Sequence, residues 1–386
     1  MKKTLLASSI SAIALSSTLS VQAESLDEFV KGGSVELNFR YRVESADVEG
    51  GADAALANTL KSRITVKTGS YYGVSAVVEG DNVFHVTDEF NSTENNETSY
   101  DVVKDPETTQ LNQSYLQYAG FDTVARFGNQ RILLDNQRHV GGVGFRQDEQ
   151  TYEGLTIENK SIDSTTVFLA VINERNDITN TNREEDVILA NVKYAVSKDL
   201  AATAFYYGIE SLGGNEGADL DTYGLRATGS LSGFSFEAEI ATQDQKALDT
   251  TPMYYHLNAG TKLGSVKTTL GYEAFGSDDG DSAFATPFGT NHKFFGWSDA
   301  YLGGAGANGI QDLYVSAVTN VSGVKLVGQL HKFDAVKGGA DLGTEFGFLA
   351  AKKFGSYGAS LKFAQLVDSD TKPDTTKLWL TGTAKF

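Results

Sequence analysis

The sequence predicts an all-β chain closed into a single transmembrane antiparallel β-barrel of 18 strands, and three observations predict it. Apolar and polar residues alternate with period two from Ser34 to Phe386. The alternating segments are joined by short and long connections in strict turn. The 386 residues include 40 Gly, 17 Tyr and 22 Phe but only 2 Met and 4 Pro, a balance that favours strands over helices. The absence of Cys excludes disulfide scaffolds, zinc ribbons and thiol nucleophiles. Lys and Arg number 32 against 50 Asp and Glu, a formal net charge of −18, which argues against nucleic acid as a partner.

The first element is an address. Lys2 and Lys3 precede a short apolar stretch from Leu5 to Leu19, and Val21-Gln22-Ala23 ends it with small residues where a signal peptidase reads. Residues 1–23 are therefore expected to be a signal peptide and 24–386 the barrel. Beyond them the longest unbroken apolar run is Val167 to Ile172, far short of the roughly 20 residues a membrane helix needs.

In the first strand, 34–45, Val35, Leu37, Phe39, Tyr41 and Val43 alternate with Glu36, Asn38, Arg40, Arg42 and Glu44. The same reading gives strands near 60–68, 72–84, 111–119, 123–130, 151–158, 164–172, 186–196, 200–209, 220–230, 233–243, 253–262, 265–275, 309–318, 322–333, 342–354, 357–367 and 375–386. Alternation is weakest at 72–84, 111–119 and 151–158. Tight turns such as Gly69-Ser70-Tyr71, Ser197-Lys198-Asp199 and Phe354-Gly355-Ser356 alternate with polar loops at 46–59, 85–110, 131–150, 173–185, 210–219, 244–252, 276–308, 334–341 and 368–374. All four prolines fall in the long set, where no ladder bond is lost. A soluble sandwich has no reason to sort its connections by length between its two ends. A membrane barrel does, with short periplasmic turns and long extracellular loops, an apolar face towards lipid and a polar face towards a lumen. The loops 85–110 and 276–308 are accordingly expected outside and open to protease.

The last strand, with Leu378, Leu380, Gly382 and Ala384 in one phase, ends on Phe386 and resembles the assembly signal of bacterial outer-membrane proteins. The most specific stretch is Arg126-Phe127-Gly128-Asn129-Gln130-Arg131, followed by Leu134 to Tyr152 with Arg138, Arg146 and several glycines. It is similar to the segment of Gram-negative outer-membrane porins, most similar to alginate-export-like ones, in which a Gly-X-Gln-Arg strand end leads into an inward loop. The resemblance implies location in the cell outer membrane and passive diffusion of small hydrophilic solutes. It also implies that 131–150 folds into the barrel and narrows it. It leaves 16 strands as an alternative count, a homotrimer as a candidate assembly, and the solute unnamed.

Arg40, Arg42, Lys61 and Arg63 fall on the lumen phase of the first two strands, while Arg126, Arg131, Arg138 and Arg146 cluster at or in the inward loop with Asp135. Two readings stand side by side. Lumen charges can simply pair with Glu36, Glu44 or Asp135. Alternatively, rows of Arg facing carboxylates set up a transverse field at the constriction that favours anionic or sugar-like solutes. No cofactor, metal or catalytic group is expected: the five His show no hydrolase spacing, and Ser277 to Ser282 lacks an EF-hand ligand pattern. That acidic run suits a solvated loop bridged through divalent ions to lipopolysaccharide. A plugged barrel acting as an adhesin or receptor is the alternative function.

Overall fold

A computed structural model describes residues 26–386, and the expected leader lies outside the described residues. A short helix, α1 (Leu26–Lys31), precedes the first strand. The strands are β1 (Ser34–Val48), β2 (Ala55–Lys67), β3 (Val74–Thr87), β4 (Thr108–Gly120), β5 (Thr123–Gln130), β6 (Thr151–Asn159), β7 (Thr165–Asn176), β8 (Asn182–Ser197), β9 (Leu200–Glu210) and β10 (Leu220–Leu231). They continue as β11 (Phe234–Gln245), β12 (Met253–Leu263), β13 (Val266–Phe275), β14 (Ile310–Val321), β15 (Val324–Asp334), β16 (Asp341–Phe354), β17 (Tyr357–Val367) and β18 (Thr375–Lys385).

Each strand pairs antiparallel with the next, and β18 returns to β1 in a register running from Asn38↔Lys385 to Val48↔Thr375. The sheet is thus closed with 18 strands, which removes the 16-strand alternative. Closure satisfies the backbone of every strand, including the two that would otherwise be edges facing lipid. The expected segments are all strands, but several start earlier. β2 begins at Ala55 rather than 60, β4 at Thr108 rather than 111 and β8 at Asn182 rather than 186. These extensions lie at the long-loop end. There the ladder runs on past the lipid and no longer needs an apolar outer face.

Burial inverts that of a soluble protein. Val35, Leu225 and Leu270 point outward and are 63%, 62% and 59% exposed, while Arg42, Glu44 and Lys61 point inward and are 4%, 1% and 5% exposed. Tyr72, Phe121, Phe354, Tyr357 and Phe386 are exposed at the short-turn end, where aromatic rings suit a membrane interface. At the opposite end outward carboxylates face one another across strands: Glu153↔Glu174, Glu174↔Glu184, Asp186↔Glu210 and Asp221↔Asp244. Like charges so paired are tolerable only in water, so this row marks the upper edge of the apolar band.

The largest packed core lies inside the barrel, not between layers. It includes Tyr254, Phe275, Phe284, Phe288, Phe295, Tyr301 and Phe333, contributed by the lumen wall and by the connection between β13 and β14.

The two faces of β13 give a direct check. Leu270→Arg should cost about 2–4 kcal/mol if its site lies near the bilayer midplane, and Thr269→Arg, on the lumen side, much less. Urea unfolding of barrels refolded in lipid measures both, and equal costs would reverse the assignment of faces.

Candidate functional site

The lumen is built around the chain that leaves β5. Gly128 sits at φ 123°, where a Cβ would collide with the Ser114 carbonyl oxygen, so only glycine lets β5 turn inward here. Gln130 holds the exit: its Oε1 accepts from Thr156 Oγ1 at 2.8 Å and its Nε2 donates to the Gly154 carbonyl at 3.3 Å. The 131–150 loop then crosses the barrel. On the far wall Asp135 accepts from Asn191 at 2.7 Å, Asn136 donates to Glu237 at 2.7 Å, Arg138 meets Glu273 at 2.7 Å and His139 meets Glu239 at 2.5 Å. On the near wall Arg42 donates to the Phe145 carbonyl at 2.7 Å and Arg40 to the Gly144 carbonyl at 2.8 Å. Arg146 donates to both oxygens of Glu44, at 3.0 and 2.9 Å, and Gln147 to Thr59 Oγ1 at 2.7 Å. The loop is therefore tied to β1, β2, β8, β11 and β13.

Where the loop rejoins β6, charge is concentrated. Arg63 donates to Asp81 through Nε at 2.6 Å and Nη2 at 2.5 Å, Lys61 lies 2.8 Å from the same carboxylate, and Arg131 bridges Glu79 and Glu149. Glu79 also accepts from Thr65 at 2.6 Å and Asn112 at 2.9 Å. Burial by itself would raise the Glu149 carboxyl, but Arg131, Arg63 and Lys61 hold it well below the usual range. Its neighbour Asp148 makes no ion pair among the described residues, and burial, against the weaker pull of the Glu149 N–H and Lys61, pushes it up to about 7.

Beneath this network, towards the short-turn end, lies a cavity of about 860 Å³. Its lining carries eight basic residues, Arg40, Lys61, Arg63, Lys67, Arg126, Arg131, Lys353 and Lys385, against three acidic ones, Glu36, Glu79 and Glu149. Arg126 donates to Gln117 at 2.8 Å and lies over the Tyr115 ring. It makes no ion pair among the described residues, and neither do Lys67, Lys353 and Arg40. The vestibule therefore holds surplus positive charge.

Of the residues singled out from sequence, Arg40, Arg42, Lys61, Arg63, Arg131 and Arg146 meet around the returning limb of the loop, and Arg126 lines the cavity below. Asp135 and Arg138 stand apart on the far side. Asp135 lies 3.5 Å from Arg226, and Arg138 is fully buried among Phe275, Phe294 and Phe295. Glu79 and Asp81 were missed. The available signal was two acids two residues apart on the strand that follows Lys61 and Arg63.

A second loop enters the lumen. The connection between β13 and β14 is expected from sequence to be external, yet Phe284, Phe288, Phe295 and Tyr301 are buried against the wall and against the 131–150 loop. Gly141 N–H donates to the Phe288 carbonyl at 2.8 Å and Thr290 N–H to the Gln137 carbonyl at 2.9 Å. Gly296, at φ 77°, leaves room for the Glu345 carboxylate, which accepts the N–H groups of Trp297 and Ser298. His292 stacks on Phe145 with ring centres 3.5 Å apart and contacts Asp299 and Lys362 at 2.5 Å each. Burial pushes His292 down to about 3. The six Phe, Trp and Tyr residues between 276 and 308 were the available sign, because such side chains seek a core. Part of 85–110 is likewise covered: Phe90, Val103 and Asp105 are buried.

No protein-family model matches the chain, and no curated protein sequence matches it. Among solved structures the barrel is similar to Pseudomonas aeruginosa OccK8 (OprE), with a TM-score of 0.72 and 12% identity over 93% of this chain and 99% of that one. It is also similar to Pseudomonas aeruginosa OpdO, with a TM-score of 0.71 and 13% identity over 94% and 99%. Acinetobacter baumannii OccAB1 gives a TM-score of 0.69 and 15% identity over 95% and 100%. At such identities the similarity is one of fold.

The far-wall anchor can be tested alone. Arg138→Met leaves Glu273 buried without its cation, with only the Tyr254 hydroxyl donating to it at 2.8 Å, and should cost about 3–5 kcal/mol in denaturant unfolding. Adding Glu273→Leu should recover most of that loss.

Proposed function

We propose that the chain is an outer-membrane channel of a Gram-negative bacterium through which small hydrophilic solutes diffuse passively, with anionic solutes preferred. The observation that carries the reading is the vestibule, where eight basic residues face three acidic ones beneath a loop that crosses the lumen. The formal net charge of −18 points the other way. Much of that acid, however, lies in external loops and on the outer rim, where salt screens it beyond about 8–10 Å. Charge in a narrow, low-dielectric waist is screened far less and governs permeation. The Occ-type fold supports a porin-like channel in the outer membrane.

One observation favours a second reading. The two inward loops pack a continuous apolar core into the long-loop half of the lumen, as a plugged barrel serving as a receptor or adhesin would require. Conductance in planar bilayers separates the two, since a plugged barrel gives no unitary steps.

For the channel, a reversal potential across a salt gradient should show anion preference. Arg126→Gln with Lys353→Gln removes two vestibule charges without orphaning a carboxylate and should reduce the anion-to-cation permeability ratio severalfold. Cation preference in the native protein, unchanged in this variant, would sink the selectivity reading.

A further inference from the structure

Asp148 is the one acid of the 131–150 loop that no cation contacts among the described residues. Its side chain is buried; Oδ1 accepts from Gln110 Nε2 at 2.5 Å and from the Glu149 backbone N–H at 2.8 Å. Oδ2 has no hydrogen-bond partner among the described residues.

The charged groups on every side are already engaged. From β2, Lys61 and Arg63 hold Asp81, and Arg63 also reaches Glu149. From the loop itself, Arg131 bridges Glu79 and Glu149, while Arg146 pairs with Glu44 and lies 3.7 Å from Asp105. From β1, Arg40 donates to Gln147 Oε1 at 2.8 Å and to the carbonyl oxygens of Gly144 and Arg146. From β3, His85 Nε2 meets the Asp105 carbonyl at 2.8 Å, and from β7, Arg175 is held by Glu185 and Gln150. Lys61, Arg63 and Arg131 balance Glu79, Asp81 and Glu149. Asp148 would be a fourth negative charge in that cluster, buried and with one oxygen unpaired. Such a carboxylate is costly to ionise, and the cost falls away when it takes a proton.

We propose that Asp148 is a specificity-determining residue of the channel: it takes a proton from neutral solution, and its ionisation sets how strongly the constriction prefers anions. The proposal rests on the channel reading and names the regulation of that same site. Below neutrality Asp148 is uncharged and the surplus cations of the vestibule act alone. Above neutrality one added negative charge beside Glu149 weakens their field. The folded state holds this proton more tightly than the unfolded chain, so the group's contribution to stability is fully present at low pH. It is lost as pH rises from the ordinary Asp value towards neutrality.

The test measures reversal potentials across a salt gradient from about pH 5 to about pH 9 for the native barrel and for Asp148→Asn, an isosteric change that keeps an acceptor for Gln110. The expected result is an anion-to-cation permeability ratio that falls about twofold or more through neutrality in the native barrel. In Asp148→Asn the ratio should stay at its low-pH value throughout. A native ratio independent of pH, or an equal fall in the variant, overturns the proposal. So does a fall that appears only with chelator and is reversed by millimolar Ca²⁺, because the occupant would then be a divalent cation. A barrel that prefers cations at every pH, yet shifts through neutrality only when Asp148 is present, refutes the anion preference and upholds the role of Asp148. Urea unfolding over the same range is independent of conductance and of whether the variant inserts into bilayers. The native midpoint should fall with rising pH and that of Asp148→Asn should not; parallel curves overturn the proposal.

Discussion

The structure depends on a single hydrogen-bonded seam, the antiparallel ladder between β1 and β18 from Asn38↔Lys385 to Val48↔Thr375. Hydrocarbon offers no partner for a free N–H or C=O, so a sheet of this width is tolerable in lipid only when its first and last strands meet. Once the seam closes, everything else is constrained. Each strand has one face towards lipid and one towards the lumen. The apolar face needs no packing partner within the protein, so the usual driving force for a core is moved elsewhere. It reappears inside the barrel, where Phe275, Phe284, Phe288 and Phe295 pack between the wall and the inward loops.

The same closure sets the electrostatics. A lumen lined by charge cannot disperse it into bulk water, and each buried ion needs a partner of opposite sign. The near wall offers Arg40, Arg42, Lys61 and Arg63, and the far wall offers Glu237, Glu239, Glu273, Asp312 and Glu345. The 131–150 loop spans the two. It gives Arg138 and His139 to the acidic side, and it returns backbone carbonyls and Glu149 to the basic side. A loop that satisfies both walls is pinned at many points. Towards the short-turn end the pairing is incomplete, and the surplus cations of the vestibule are the consequence.

The second inward loop changes the meaning of several residues. His292, Asp299 and Lys362 form one hydrogen-bonded chain against Phe145 and Trp379, so the returning limb of the first loop is held by the second as well as by the wall. Loops are ordinarily less constrained than the strands they join. Here aromatic stacking and three cations, Arg42, Arg146 and Lys362, surround the Phe145 ring at 4.4 to 5.0 Å.

The sequence by itself left 16 strands as an alternative to 18, which the closed sheet decided, but it determined strand order and the face each residue presents, as Val35 to Val43 and Leu270 illustrate. These follow from period-two patterning, which is local and is imposed by lipid on one side and water on the other. It also placed Lys61 and Arg63 on the lumen face, for the same reason. Strand ends were less legible, because above the lipid edge the ladder of β2, β4 and β8 continues without any demand on its outer side chains. Which charges meet was decided only by the tertiary structure. Arg63 finds Asp81 through the register of β2 on β3, and Arg138 finds Glu273 across the full width of the barrel. The fate of the loop before β14 was decided there too, since its aromatic residues have no periodicity to read and gain a core only once the closed wall provides one. Patterning records the environment of each residue, whereas partners depend on which distant segments closure brings together.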